Sequence, residues 1–112
     1  MIQTGSGQSM AQQRRVVITG MATINPLGDD LDVYYNNLIA GKSGVKRWTT
    51  LDTSNVDCKI GGDLGDYDCA AALEALRATL DPDLHKRLRK LFRTMTLPNK
   101  TATLCAIKAW RD

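Results

Sequence analysis

Three thiols and one imidazole, Cys58, Cys69, Cys105 and His85, carry the sequence's capacity for nucleophilic catalysis or zinc binding. A cysteine attacks a carbonyl when a neighbouring base accepts its proton and a third group orients that base. His85 is a poor candidate for the base. A run of cations follows it and no carboxylate is nearer in sequence than Asp83, so it is expected to be a surface histidine on a helix. Cys105 falls on the small-residue face of a helical pattern and is expected to be an inert buried thiol; Cys58 and Cys69 have no distinguishing context. An odd number of cysteines with no CxxC pair and one histidine argue against both a disulfide framework and a zinc centre. No catalytic residue and no metal site are therefore assigned, and a reducing compartment, the cytoplasm, is expected.

Two glycine motifs could bind phosphate, and both lack their context. Gly41-Lys42-Ser43 resembles the tail of a P-loop, but Asn36 stands where the motif needs its first glycine. A helical pattern also precedes these residues where a strand is required. A helix C-cap glycine explains Gly41 better. Val17-Ile18-Thr19-Gly20 could open a dinucleotide-binding unit, whose glycine-rich turn must follow at once so that backbone can approach a pyrophosphate. Met21-Ala22-Thr23-Ile24-Asn25-Pro26 follows instead. A structural buried strand is expected there.

Charge is the more informative chemistry. The net +3 conceals a division: residues 1–83 hold seven Lys/Arg against eleven Asp/Glu, whereas residues 84–112 hold eight basic residues against Asp112 alone. At about 100° per residue, Lys86, Arg89, Lys90 and Arg93 share one helical arc, and Leu84, Leu88, Leu91, Phe92 and Met95 share the opposite one. Such an arc has three meanings: a solvated face, a phosphate-contacting surface for nucleic acid, or a docking face for an acidic protein. Aromatic residues for base stacking are almost absent, and Phe92 lies on the apolar side.

These residues sit on a legible series of elements. The 112-residue chain, 43% apolar and 24% charged, has room for one domain. No apolar run approaches the ~18–20 residues of a membrane span. Met1–Gln13 is polar, lacks a secretory h-region and reads as a flexible leader. Arg15–Met21, β-branched and non-alternating, predicts a strand buried on both faces, as in a layered α/β sheet. Asn25-Pro26-Leu27-Gly28 is turn chemistry. Asp29 or Asp30 caps a helix carrying Leu31, Tyr34, Tyr35, Leu38 and Ile39, and Gly41 stops it. A loop over 42–57 and a weak strand over 56–64, spoiled by Gly61-Gly62, lead to a helical stretch, Cys69 to Leu80. Asp81-Pro82 restarts a helix, and Pro98 begins another, on which Thr101, Ala102, Cys105, Ala106 and Ala109 cluster for close packing against backbone.

Read in order, several blocks share one resemblance. Arg14–Met21, Asn25–Gly28, Leu38-Ile39-Ala40-Gly41-Lys42-Ser43-Gly44-Val45, Leu51-Asp52-Thr53-Ser54 and Lys59-Ile60-Gly61-Gly62-Asp63, with the closing Ala109-Trp110-Arg111-Asp112, resemble the N-terminus of β-ketoacyl-acyl carrier protein synthases. The resemblance implies the N-terminal portion of a thiolase-like α/β/α/β/α layered fold over residues 14–112, incomplete in this chain and inactive alone. It implies an acyltransferase that condenses carrier-bound acyl and malonyl thioesters in fatty-acid or polyketide synthesis, through a cysteine and two histidines lying downstream. A malonyl-carrier decarboxylase, a chain-length factor or a non-catalytic carrier-binding module are the alternatives. No cofactor would be bound; the carrier protein presents a phosphopantetheine arm. The acyl carrier protein is the implied partner, with a homodimer or a partner ketosynthase subunit, and neither nucleic acid nor membrane. Lys86, Arg87, Arg89, Lys90 and Arg93 match the region where similar enzymes receive the carrier. Ala22, Leu51, the stretch Cys69–Leu80 and Pro98 depart from the family pattern and hint at a polyketide branch.

Overall fold

The computed structural model describes residues 14–112 and mixes helices with a short sheet: α1 Leu31–Ile39, β1 Val45–Arg47, β2 Ile60–Gly62, α2 Cys69–Ala75, a one-turn 3-10 helix Arg77–Thr79, α3 Pro82–Phe92 and α4 Leu97–Arg111. The leader expected at Met1–Gln13 lies outside the described residues.

Local chemistry sets most helix boundaries. Asp30, not Asp29, caps α1, its Oδ1 accepting from the amides of Asp32 and Val33 at 3.0 and 3.1 Å. Gly41 follows the helix at φ +69°. Asp68 caps α2 through the amides of Ala70 and Ala71, and Asp81 caps α3 through those of Asp83 and Leu84, with Pro82 in the first turn. The Asn25–Gly28 turn closes on itself, each backbone amide donating to the other's carbonyl at 3.0 Å, while Asn25 Oδ1 accepts from the Leu27 amide. The loop expected over 42–57 contains β1, which pairs antiparallel with β2 in the register Val45 with Gly62 and Arg47 with Ile60. Gly61-Gly62 are thus within the strand rather than spoiling it. A Cβ on Gly61 would lie 2.2 Å from the Trp48 ring, so glycine is what lets the indole cover the strand.

The buried apolar residues are few and sit where three helices meet. Leu73 of α2 and Leu104 of α4 are fully enclosed, joined by Cys69, Leu88 and Phe92, with Ile24, Tyr67, Leu76, Leu80 and Ile107 packed around them. Helix α2 lies between α3 and α4 and contacts both. The stretch Cys69–Leu80 is therefore the hub of the core. On α4 the anchor is Leu104, not the small-residue stripe; Ala102 and Ala106 are exposed and Cys105 is half-buried.

The first expected strand is corrected. Residues 14–21 form no strand, and Val16 is 91% and Ile18 81% exposed. A strand buried on both faces needs paired edges and covering layers, and no described residue supplies them. The segment instead ends against α4. The Met21 amide donates to Asp112 Oδ2 at 3.1 Å, and a Cβ on Gly20 would lie 2.0 Å from the Ala109 carbonyl oxygen. Close packing of α4 against backbone thus occurs at Ala109, where two side-chain-poor residues meet.

Candidate functional site: the cationic face of α3

Helix α3 separates charge from burial across its width. His85, Leu88 and Phe92 point into the protein, and Lys86, Arg87, Arg89, Lys90 and Arg93 all stand exposed. Among the described residues none of these five cations is ion-paired; the carboxylate pairs are Arg77–Glu74, His85–Glu74 and Lys108–Asp29. Like charges three and four positions apart on a helix cost a few tenths of a kcal/mol per pair, roughly 0.2–0.5. Arg89 and Lys90 recover part of that near the negative end of the helix dipole. A face of repelling, unpaired cations does not stabilise the fold, but it presents a concentrated field to anything acidic in solution.

His85 corrects its sequence expectation. It is 5% exposed, and its Nε2 lies 3.3 Å from Glu74 Oε2 on α2. That contact is close but misaligned, so Nε2 makes no hydrogen bond. Glu74 also pairs with Arg77 at 3.0 Å. The signal was in the spacing: His85, Leu88 and Phe92 fall at i, i+3 and i+7, the seam of a buried helix face. The carboxylate beside it, Glu74, is eleven positions away in sequence and arrives from a preceding helix.

Among the described residues no nucleophile–base pair forms. Cys58 is exposed and its Sγ donates to the Ile60 carbonyl at 3.1 Å. Cys69, not Cys105, is the buried thiol. Burial pushes the Cys69 thiol up, with Asp68 adding to the shift and Lys100 opposing it. Among the described residues no three His, Cys, Asp or Glu side chains are grouped to hold a metal. No helix among them is long and apolar enough to cross a membrane. The Gly41-Lys42-Ser43 atoms serve the fold: Lys42 Nζ donates to Asn37 Oδ1 at 2.8 Å, and Ser43 Oγ accepts from the Val45 amide at 3.1 Å.

Two carboxylates hold the frame in roles that the sequence alone does not assign to them. Asp63 is 4% exposed and gathers the segments after β1 and β2. It accepts from the amides of Thr49, Thr50 and Gly65 and from both threonine hydroxyls, at 2.8–3.2 Å. The Thr49 and Gly65 amides hold its carboxyl well below the usual range. Asp29 accepts from the Tyr67 hydroxyl at 3.0 Å and from Lys108 Nζ at 3.3 Å, tying the start of α1 to α4. Burial works to raise its carboxyl, yet the Tyr67 bond and the Lys108 charge together keep it below the ordinary value. Only the Asp63–Gly65 spacing, an Asx-type turn, was visible beforehand.

The family model described as the beta-ketoacyl synthase N-terminal domain matches residues 13–112. A 3-oxoacyl-(acyl-carrier-protein) synthase 2 from Synechocystis is 34% identical over 67 residues, covering 60% of this chain and 16% of the relative. The protein of the same name from Coxiella burnetii is 41% identical over 63 residues, covering 56% of the chain and 15% of the relative. A chloroplastic 3-oxoacyl-(acyl-carrier-protein) synthase II from Arabidopsis thaliana is 31% identical over 91 residues, 81% of the chain and 16% of the relative. The chain thus spans about a sixth of the length of these relatives. No solved structure gives a significant match.

Proposed function

The chain belongs to the beta-ketoacyl synthase family, in its N-terminal domain, and we propose that it serves a 3-oxoacyl-acyl-carrier-protein synthase by receiving the acyl carrier protein on α3. The observation that carries this reading is the exposed set Lys86, Arg87, Arg89, Lys90 and Arg93, free of ion pairs among the described residues. In this reading the carrier brings its phosphopantetheine-linked thioester as substrate. Acyl transfer to a cysteine and decarboxylative condensation take place on residues outside 14–112, and none of Cys58, Cys69, Cys105 or His85 takes part. The relatives named as 3-oxoacyl-(acyl-carrier-protein) synthases support a condensing acyltransferase of fatty-acid elongation over a specialised polyketide enzyme.

The same reading accounts for the uncovered apolar residues. Val16, Val17 and Ile18 before α1, Leu38 and Ile39 on α1, and Trp110 on α4 are more than half exposed. Residues 14–112 are then the N-terminal part of a layered, thiolase-like domain, working in the cytoplasm as a homodimer or with a partner ketosynthase subunit. These side chains pack against its further layers and subunits.

Docking through exposed cations acts on encounter. Each exposed pair contributes about 0.2–1 kcal/mol, so the face steers the carrier and sets salt dependence more than it sets lifetime. The test is carrier binding by this chain across a salt series. Arg89→Glu with Arg93→Glu takes the face from a net +5 to +1. The double variant is expected to raise Kd roughly 3- to 30-fold at low salt. The gap should close near about 1 M salt, where the screening length falls to ~3 Å. Unchanged affinity at every salt concentration overturns the reading.

A further inference from the structure

His85 is a buried polar group that the docking reading leaves unused. Its side chain is 6% exposed, and its Nε2 is sealed from water without a hydrogen-bond partner among the described residues. A buried nitrogen left unpartnered costs free energy unless another state of the group offsets it. Its place in the fold is specific. Helix α2 ends at Ala75, the chain turns through Arg77–Thr79, and α3 returns from Pro82. His85 is the first buried side chain of α3, ahead of Leu88 and Phe92, and Leu84 beside it is 42% exposed. The start of α3 is therefore held to α2 at the imidazole. Glu74, in the last turn of α2, divides its carboxylate between two partners. Its Oε1 lies 3.0 Å from Arg77 Nη1, and its Oε2 lies 3.3 Å from His85 Nε2.

We infer that His85 and Glu74 form a proton-dependent clasp: the imidazole takes up a proton between pH 8 and 5, and the ion pair so formed seats the start of α3 on α2. Without that proton Nε2 offers the carboxylate either a lone pair, which repels it, or an N–H directed past it. With the proton, attraction to Oε2 no longer depends on alignment. Other charges face the same place. Arg77 of the 3-10 turn and Lys86 and Arg89 of α3 line the hollow beside the imidazole, and α4 lends it no charged side chain. Lys100 of α4 lines the neighbouring groove, onto which Glu74 also opens. Glu74 is the one carboxylate of α2, and the Cys69 thiol, pushed up by burial, stays neutral in this range. Burial and the three cations oppose a further positive charge. Those cations stand in solvent and are screened by it, so attraction to a carboxylate at 3.3 Å prevails. The clasp makes the seating of the helix that carries the cationic face responsive to pH, whether or not a carrier docks there.

Folding that takes up a proton is favoured by acid, so the clasp should strengthen as pH falls from 8 to 5. Urea unfolding of the full chain, followed by far-ultraviolet circular dichroism across that range, is compared for wild type, Glu74→Gln and His85→Gln. Groups common to all three cancel in the differences. Relative to Glu74→Gln, wild type is expected to gain about fivefold in its folding equilibrium constant between pH 8 and 5, widening the gap in urea midpoints by roughly 0.5–1 M. His85→Gln should follow the pH dependence of Glu74→Gln. The Glu74 side chain is 48% exposed, so its variant keeps the comparison should the core substitution fail to fold. His85 is the chain's one histidine, so its imidazole proton resonance is unambiguous and should move in wild type over the same range. Parallel curves for wild type and Glu74→Gln, a gap that widens toward pH 8 instead, or an imidazole resonance that stays fixed from pH 8 to 5 each overturn the clasp. Carrier binding plays no part in these measurements, so the clasp and the docking reading fail separately.

Discussion

Leu88 and Leu91 stand three positions apart on α3, and helical periodicity places both on one apolar arc. The fold treats them differently: Leu88 is 9% exposed and part of the core, whereas Leu91 is 50% exposed. Replacing either by alanine removes the same three carbon atoms and slightly favours the helix, so the difference between the two variants reports burial alone. At about 0.8 kcal/mol per buried carbon, Leu88→Ala loses about 2.4 kcal/mol of transfer free energy. The space opened among Leu73, Phe92 and Leu104 adds a cavity cost and brings the expected total to roughly 2.5–4 kcal/mol. Half-exposed Leu91 gives up about 1 kcal/mol at most, less a few tenths regained in helix propensity. Urea unfolding followed by the helical circular-dichroism signal measures both. With an m-value of about 1–2 kcal/mol per molar urea, the two midpoints should separate by roughly 1–2 M, with m itself unchanged. Equal losses, or a larger loss for Leu91→Ala, refute the packing of α3 described above, and with it the outward orientation of the cationic face.

The Asp63 cluster gives a pH prediction. Its carboxyl titrates lower in the folded chain than the ordinary 3.8, so its contribution to stability is complete above that value and is lost as pH falls through the lower folded one. Asp63→Asn is expected to lower Tm by a few degrees near neutral pH, with the difference from wild type shrinking only below pH 3.8; a difference that stays constant into acid contradicts the cluster. Thiol exposure gives another. Iodoacetamide should label exposed Cys58 first and half-buried Cys105 more slowly, while Cys69, buried and with its thiol pushed up, should react only on unfolding, about a hundredfold later or more. Peptide mass spectrometry of a time course reads the order, and early labelling of Cys69 contradicts the core.

The helices and most of their starts were the legible part of the fold, because those boundaries are set by residues within one turn; the helix expected over Cys69–Leu80 instead stops at Ala75 and gives way to a 3-10 turn. Asp30, Asp68 and Asp81 each accept from amides two and three positions on, a range that a linear reading covers. The cationic arc was legible for the same reason. What escaped was every feature made across the chain. β1 pairs with β2 through residues that look like loop and turn, and Trp48 fits over Gly61 only once that pairing exists. Asp63 reads as an ordinary surface carboxylate until Thr49 and Thr50 are folded onto it.

His85 marks the division most sharply. Composition, charge order and 3.6-residue periodicity were enough to place it on a helix beside Lys86 and Arg89, and to show that the helix carries charge on one side and apolar bulk on the other. Whether the imidazole belonged to the wet side or the packed side depended on α2, which brings Glu74, Leu73 and Cys69 against that edge. Helix formation is a local equilibrium whose terms are written within a few residues. Burial is a competition among surfaces, and its winner is known only when the neighbours that exclude water have arrived.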